Sequence, residues 1–301
     1  MKKLHIVLLM AVAVALSPFS ASAKINIFAC EPEWQSLAQE IGKKNVTTFS
    51  ATSATQDPHY IRAKPSLIAK IRKADLLICS GSDLEVGWLP ILLTKTNKNL
   101  QIGQDGHLMA ADFVPKIGKP KVLDRSLGDI HPQGNPHIHL DPYNILLVAD
   151  ELKKRLQKID AINSANYQAN YQNFVERWQK SIKKWEKKAE TLKNVKVLPH
   201  HKSFSYLLKW LKMDGGVALE VKPGIAPNPS HLRKLLKYTQ EEKVRFIILS
   251  PFDSQDASNW MAQKSGIEEL VLPYTIGGNG QSKDLFTLFD STIDLMLKNK
   301  R

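Results

Sequence analysis

Short apolar runs alternate with helical patterns along the first half of the chain. "KINIFAC", "NVTTFSA" and "LLICSG" have the length and composition of buried strands. Between them, "EWQSLAQEIG" and "KPSLIAKIRKAD" carry apolar residues at helical spacing, and the first pattern ends at Gly42. A series in which strands and helices alternate predicts a parallel sheet covered by helices.

The same alternation returns after residue 194. Four segments have strand character, namely "VKVLPHH", "GGVALEV", "VRFIILS" and "EELVLP". Helical patterns separate them, including "SHLRKLLKYTQEEK", for which we predict capping by Ser230. The chain as a whole therefore predicts an α/β fold of two lobes, each a parallel sheet flanked by helices.

A long helical stripe separates the two series. Apolar residues recur at steps of three and four over about seven turns, namely Tyr167, Tyr171, Phe174, Trp178, Ile182, Trp185, Ala189 and Leu192. One small lobe is too small to bury such a helix entirely. We therefore predict one long connecting helix at 161–192, between an N-terminal lobe at 24–160 and a C-terminal lobe at 193–301. A helix packed along one large domain is the alternative.

The N-terminus has the features of a secretory signal peptide. Lys2 and Lys3 precede an apolar run from Ile6 to Leu16, and "SPFSASA" ends in an Ala-x-Ala pattern. This run is too short for an ordinary transmembrane helix. We expect cleavage after Ala23, which removes residues 1–23, and a monomeric mature protein in the periplasm with no transmembrane segment. An N-terminal buried helix is the alternative.

The charge balance is strongly basic, with a formal net charge of +13. Such a charge would suit nucleic acid or anionic lipid as a partner. The lysines, however, are spread along amphipathic helices, as in "KKWEKKAETLKNVK", and no basic stripe is interleaved with aromatic residues. We interpret them as a solvated face and predict no nucleic-acid partner.

The two cysteines, Cys30 and Cys79, each end a predicted strand. If these strands are neighbours in a parallel sheet, both thiols lie at the same edge. A disulfide needs Cα atoms about 4.4–6.8 Å apart, which adjacent strand ends provide. In an oxidising compartment we expect the two cysteines to form a disulfide, with two free buried thiols as the alternative.

Several histidines lie on loops that follow predicted strands or precede helices, on both sides of the long helix: His59, His137, His139, His200 and His201. Ligands of open α/β sheets bind at the carboxyl ends of strands, so these loops indicate a site between the lobes. Neutral imidazole is a common ligand of Zn²⁺. The sequence contains neither an HExxH motif nor a CxxC pair. The histidines therefore point to a transition-metal site without the spacing of a zinc finger.

These motifs resemble those of the metal-binding periplasmic proteins of ABC importers for zinc and manganese, whose lobes are joined by one rigid helix. The resemblance rests on "QDPHYIRAKPSLIAKIRKADLLICSG", "NPHIHLDPYN", "HKSFSYL" and "PNPSHLRKLLKYTQEEKVRFIILSPF". It implies an exported solute-binding protein, not an enzyme. Such a protein captures a divalent transition metal between its lobes and delivers it to an ABC-type membrane permease.

The resemblance also implies a set of metal ligands, which fall on His59, His137 and His201. His201 is favoured over His200 because a phenylalanine and a tyrosine follow it at the spacing of the family. Histidine at this third position is typical of zinc-type members, and glutamate is typical of manganese-type members. The implied cargo is therefore Zn²⁺ ahead of Mn²⁺, in agreement with the preference of Zn²⁺ for nitrogen ligands.

The fourth ligand is the point at which this chain departs from the family pattern. The aspartate that usually follows the last strand is absent from "LVLPYTIGGNG". A water, Glu31, Asp253 or His139 are the alternatives, and His139 stands where the family has an aromatic residue. His139 and His200 are otherwise expected to support the site from beside it. The histidine-rich loop of many zinc-type members is reduced to His131.

Two other classes of function compete with metal delivery. A three-histidine zinc hydrolase would use the same ligands and hold water in the open position. A binder of another solute, or an adhesin-like protein, would need no metal. A calorimetric titration with Zn²⁺ and with Mn²⁺ separates metal binding from the metal-free functions.

Overall fold

The N-terminal lobe contains a four-stranded parallel sheet. The computed structural model describes residues 23–121, 128 and 130–298, so the predicted signal segment lies outside the described residues except for Ala23. The strand order is β2-β1-β3-β4. The strands are β1 (Ile25–Ala29), β2 (Val46–Ser50), β3 (Leu76–Cys79) and β4 (His107–Met109), and only β4 was not expected from the sequence.

Four helices accompany this sheet: α1 (Pro32–Gly42), α2 (Pro65–Ile71), α3 (Leu89–Leu93) and α4 (Pro142–Ile159). Each has a proline in its first two positions, where the missing N–H and the fixed φ of proline suit a helix start. The side chain of Asp141 caps α4 by accepting a hydrogen bond from the backbone N–H of Tyr143. The loop before α4 is thereby held at a defined angle to the sheet.

The long helix α5 (Ser164–Lys188) lies inside the predicted connecting segment. A 3-10 turn precedes it at Ala161–Asn163, and another follows at Glu190–Leu192. The helix packs against α1 and α4 and also against the last helix of the chain, α9 (Leu285–Lys298). The fold class predicted from the sequence is confirmed, with two parallel sheets flanked by helices and one long helix in contact with both halves.

The C-terminal lobe has a three-stranded parallel sheet in the order β5-β6-β7. Its elements are β5 (Val197–Pro199), α6 (Ser205–Trp210), α7 (Pro229–Glu241), β6 (Phe246–Leu249), α8 (Asp256–Ser265), β7 (Glu268–Val271) and α9. Two details of the prediction were wrong. "GGVALEV" forms no regular strand, because its paired glycines weaken strand structure. Helix α7 is capped by Asn228, because Pro229 occupies its first position and Ser230 lies inside the helix.

One apolar core extends through both lobes. In its centre, aromatic rings of α5 pack against aromatic rings of α9. The ring centroids of Trp178 and Phe286 are 4.8 Å apart, and those of Trp185 and Phe289 are 4.9 Å apart. Because the same helix face is buried by both lobes, a change in lobe orientation would expose part of this core to water.

Cys30 and Cys79 form the predicted disulfide, with a Cα–Cα distance of 4.8 Å. They lie at the carboxyl ends of β1 and β3, which are neighbours in the sheet. The bond ties together the two loops that follow these strands. No helix in the described ranges is both long enough and apolar enough to cross a membrane.

We expect Trp178→Ala to lower the free energy of unfolding by about 3–5 kcal/mol, measured by urea denaturation. Trp178 is fully buried, and its indole N–H donates a 2.8 Å hydrogen bond to the carbonyl of Pro142. The control Ile162→Ala removes a side chain that is 81 % exposed and should change stability by less than about 0.5 kcal/mol. Equal small losses in both variants would contradict the central role of this aromatic contact.

Candidate metal centre

Three histidines from distant parts of the chain meet between the lobes. His59 and His137 belong to the N-terminal lobe, and His201 follows β5 of the C-terminal lobe. One ring nitrogen of each lies within 4.8 Å of the corresponding nitrogens of the other two. The structure thus brings together the three residues that the resemblance implies as ligands.

Local backbone structure positions two of these rings. His59 lies in a 3-10 turn that is capped by Asp57, whose side chain accepts a hydrogen bond from the His59 backbone N–H. Asn135 does the same for the backbone N–H of His137 at 2.9 Å. Short polar side chains that bond the backbone two residues later are typical of such turns. The Asp-Pro-His and Asn-Pro-His sequences therefore form the same kind of turn, in which the first side chain bonds the backbone N–H of the histidine.

Two carboxylates orient the rings of His59 and His201. The Nδ1 atom of His59 lies 2.7 Å from the carboxylate of Asp57, and Nδ1 of His201 lies 2.5 Å from that of Glu220. A carboxylate accepts hydrogen bonds, so each Nδ1 is the donor and the lone pair of the neutral ring is on Nε2. A carboxylate behind an imidazole is the usual arrangement behind a metal-binding histidine.

The third ring, that of His137, is held by a phenol. Its Nδ1 atom lies 2.7 Å from the hydroxyl of Tyr274, which follows β7 in the C-terminal lobe. Its Nε2 atom is completely buried and has no hydrogen-bond partner. A buried polar atom without a partner is costly, and a bound cation would remove this cost. When the Tyr274 hydroxyl accepts from Nδ1, the lone pair of the neutral His137 ring is on Nε2, as in His59 and His201.

The pKa values of His137 and His201 are shifted in opposite directions. Burial, followed by the charges of His59 and His201, holds the pKa of His137 well below its usual range. Burial also acts to lower the pKa of His201, but the hydrogen bond and charge of Glu220 raise it above its ordinary value. Of these two rings, His137 is therefore the more readily available as a neutral ligand.

A fourth ring, that of His131, contacts His59 but lies outside the group formed by His59, His137 and His201, and it was not predicted as a site residue. Its Nε2 atom lies 3.2 Å from Nε2 of His59, and its Nδ1 atom lies 3.0 Å from the carbonyl oxygen of Ser82. Its ring centroid is 6.3 Å from that of His137. The available sequence signal was its place in "GDIHPQGNPH", six residues before His137.

His139 and His200, two of the other candidates from the sequence, lie outside the group formed by His59, His137 and His201. His139 is buried, with Nε2 2.8 Å from the carbonyl oxygen of Tyr274 and Nδ1 3.2 Å from the carboxylate of Glu33. His200 is also buried, and its backbone bonds to Ile248. The structure places both beside the cluster.

The two candidate carboxylates, Glu31 and Asp253, also lie outside that group. Glu31 accepts hydrogen bonds from the backbone N–H and the hydroxyl of Ser80. Burial raises its pKa well above the ordinary value, and the charges of Glu85 and Glu33 raise it further. Asp253 accepts a 2.7 Å hydrogen bond from the backbone of Ser250. Metal binding requires a deprotonated carboxylate, so the raised pKa of Glu31 disfavours it as a ligand.

A cavity of about 490 Å³ borders the cluster. His131, His137 and His201 are among its lining residues, and Lys202 and Val221 contribute part of the wall on the C-terminal side. This cavity gives a small ion a route to the ring nitrogens.

Comparison with known proteins gives a consistent family relationship. The sequence model of the family described as "Zinc-uptake complex component A periplasmic" matches residues 27–299. The metal ABC transporter substrate-binding lipoprotein SloC of Streptococcus mutans is 22 % identical in an alignment that covers 95 % of this chain and 94 % of SloC. The manganese ABC transporter substrate-binding lipoprotein scaA of Streptococcus gordonii is 24 % identical over 75 % of this chain and 71 % of its own length.

Solved structures share the fold at low sequence identity. A crystal structure of ZnuA superimposes with a TM-score of 0.76 at 19 % identity, covering 92 % of this chain and 100 % of that chain. The Mn-bound periplasmic metal binding protein from Candidatus Liberibacter asiaticus gives a TM-score of 0.73 at 20 % identity, covering 91 % and 99 %.

We expect the metal-free protein to show two separated histidine titrations in NMR spectra of ¹⁵N-labelled imidazoles. His137 should stay neutral well below the ordinary histidine pKa, and His201 should stay protonated above it, for the reasons given above. The native state loses stability through His137 as the pH falls below about 6.5, and through His201 as the pH rises above about 6.5. In Glu220→Gln the pKa of His201 should fall, with His137 remaining the lower of the two. The reverse order in the wild type would contradict this assignment.

Proposed function

The chain belongs to the family of periplasmic zinc-uptake complex component A proteins, and on this premise we propose that it captures a divalent transition metal, zinc in preference to manganese. The metal is held by His59, His137 and His201 and is delivered to an ABC-type membrane permease. The observation that carries this proposal is the convergence of one ring nitrogen from each of three histidines, whose rings are oriented by Asp57, Glu220 and Tyr274.

The donor atoms favour zinc. Imidazole nitrogen suits Zn²⁺, whereas Mn²⁺ prefers carboxylate, carbonyl and water oxygens. The carboxylates nearest to the cluster bond to Nδ1 atoms, so they lie behind the rings. The relative scaA is named for manganese, and a similar fold binds Mn. The preference for zinc in this chain therefore rests on its own donor set.

The geometry of the cluster suits a tetrahedral ion after a small contraction. Zn–N bonds of about 2.0–2.1 Å place ligand nitrogens about 3.3 Å apart. The three nitrogens here lie within 4.8 Å of one another, so binding would draw the loops together by up to about 1.5 Å. Since His201 belongs to one lobe and His59 and His137 to the other, release of the metal requires these loops to separate again.

Delivery to a permease places the protein outside the cytoplasm, in agreement with the predicted export to the periplasm. A disulfide between Cys30 and Cys79 is typical of an oxidising compartment. Names of relatives such as SloC specify substrate binding for a metal ABC transporter. We propose the same partnership here.

A binding role is favoured over zinc-dependent hydrolysis. A hydrolase needs a general base that takes a proton from the metal-bound water. Asp57 and Glu220 already accept hydrogen bonds from His59 and His201, and Glu31 accepts hydrogen bonds from the backbone and the hydroxyl of Ser80. None of these carboxyl groups is placed to act as that base.

We expect calorimetry at neutral pH to show one zinc per chain, with a dissociation constant on the order of nanomolar or tighter, and much weaker binding of manganese. Separate substitutions His59→Ala, His137→Ala and His201→Ala should each weaken zinc binding by about two orders of magnitude or more, because removal of a ligand should exceed the effect of removing its support. Affinity should fall as the pH drops, beginning above about 6.5, because the raised pKa of His201 makes this ligand bind a proton above the ordinary histidine value.

The matched control is His231→Ala. His231 lies in the C-terminal lobe, outside the cluster, with Nε2 3.2 Å from the carbonyl oxygen of Ala218. It should bind zinc as the wild type does. One tightly bound zinc in all three cluster variants would show that the site has been misplaced.

We expect Asp57→Asn and Glu220→Gln to weaken zinc binding about tenfold to a hundredfold without loss of the site, measured by competition with a chelating dye. The amides keep the shape of the carboxylates but lose the negative charge, which strengthens each imidazole as a ligand of the metal. Asparagine also preserves the cap of the turn that carries His59. Glu190→Gln, at an exposed glutamate, is the control. Wild-type affinity in both test variants would contradict the orienting role of these carboxylates.

A further inference from the structure

We propose that His131 supplies the fourth ligand, so that the bound ion is surrounded by four imidazoles. This inference rests on the proposed function, because it assigns the remaining coordination position of the same site. It differs from each alternative for that position that the sequence raised, namely water, Glu31, Asp253 and His139.

The first support is a distance. The Nε2 atoms of His131 and His59 lie 3.2 Å apart. Two nitrogens bound to one tetrahedral Zn²⁺ at about 2.0–2.1 Å are separated by about 3.3 Å. This pair of rings therefore already has the spacing that a shared ion requires. His131 also borders the same cavity as His137 and His201.

The second support comes from the hydrogen-bond partners behind the two rings. The carbonyl oxygen of Ser82 and the carboxylate of Asp57 only accept hydrogen bonds, so the Nδ1 atoms of His131 and His59 must both donate. In neutral rings both Nε2 atoms then carry lone pairs. Two lone pairs facing each other at 3.2 Å repel, and a cation bound by both would turn this repulsion into attraction.

The third support is that His131 contacts a ligand ring directly, through Nε2 of His59. The hydrogen bonds of Glu31 and Asp253 go instead to Ser80 and Ser250, and His139 faces Glu33 and a backbone carbonyl. After β7, where the family has its aspartate, the side chain that reaches the cluster is Tyr274, which contacts Nδ1 of His137 and orients that ring. A ligand from the loop before His137 completes the site without any of these groups.

The test compares His131→Ala with the wild type in two measurements, zinc affinity and the visible absorption of the Co²⁺-loaded protein. We expect the variant to bind zinc with an affinity lower by about two orders of magnitude or more, as for the other three ligands. Its Co²⁺ spectrum should change because water replaces an imidazole nitrogen. Added imidazole should enter the space left beside the cavity and restore the wild-type spectrum. His107→Ala is the control, because His107 bonds the carbonyl of Leu100 outside the cluster.

The possible failures can be told apart. If His131→Ala keeps both the affinity and the Co²⁺ spectrum of the wild type, while His59→Ala loses binding, the role of His131 is overturned and the proposed function stands. If the wild type binds neither Zn²⁺ nor Co²⁺, the proposed function fails and the fourth ligand fails with it.

Discussion

Burial of one helix face by both lobes is the constraint on which the site depends. The aromatic side of α5 packs against α1 and α4 of one lobe and α9 of the other. This contact fixes the distance between loops that are far apart in sequence, including those that carry His59 and His201. The ring nitrogens stay within 4.8 Å of one another only if the two lobes keep their relative position. If the lobes moved apart, part of the free energy of metal binding would be used to bring the rings together again.

Polar contacts across the cleft add to this constraint close to the histidines. Thr275 donates a 2.5 Å hydrogen bond to Glu33, and the side chain of Asn135 donates to the carbonyl of Lys202 at 2.9 Å. The hydroxyl of Tyr206 donates to the backbone carbonyl of Asn135. The side chain of the same asparagine accepts a hydrogen bond from the backbone N–H of His137. His137 belongs to the N-terminal lobe, but these hydrogen bonds connect it to the C-terminal lobe. Movement of the lobes would act directly on this ring.

The sequence predicted the parts of the molecule that depend on local order. The alternation of apolar runs and helical patterns predicted the two parallel sheets, and the long apolar stripe predicted α5. The three histidine motifs supplied the rings that the fold brings together between the lobes. What it missed depends on tertiary packing. Glu220 lies in a segment that looked like a strand, and Tyr274 comes from the far end of the chain. Asp57 was visible two residues before His59, yet only the folded turn shows that its carboxylate reaches that ring.

The charge balance explains how a site with nitrogen ligands can do without the family's aspartate. Burial, then the charge of Glu33, holds the pKa of Tyr274 well above its ordinary value, so the phenol behind His137 stays neutral. Neutral imidazoles leave the full double charge on a bound ion, in a place where burial makes charge expensive. Asp57 and Glu220 supply two negative charges directly behind His59 and His201. In the proposed site they would neutralise a bound ion through the rings, so charge compensation and selection of nitrogen ligands would be achieved by different residues.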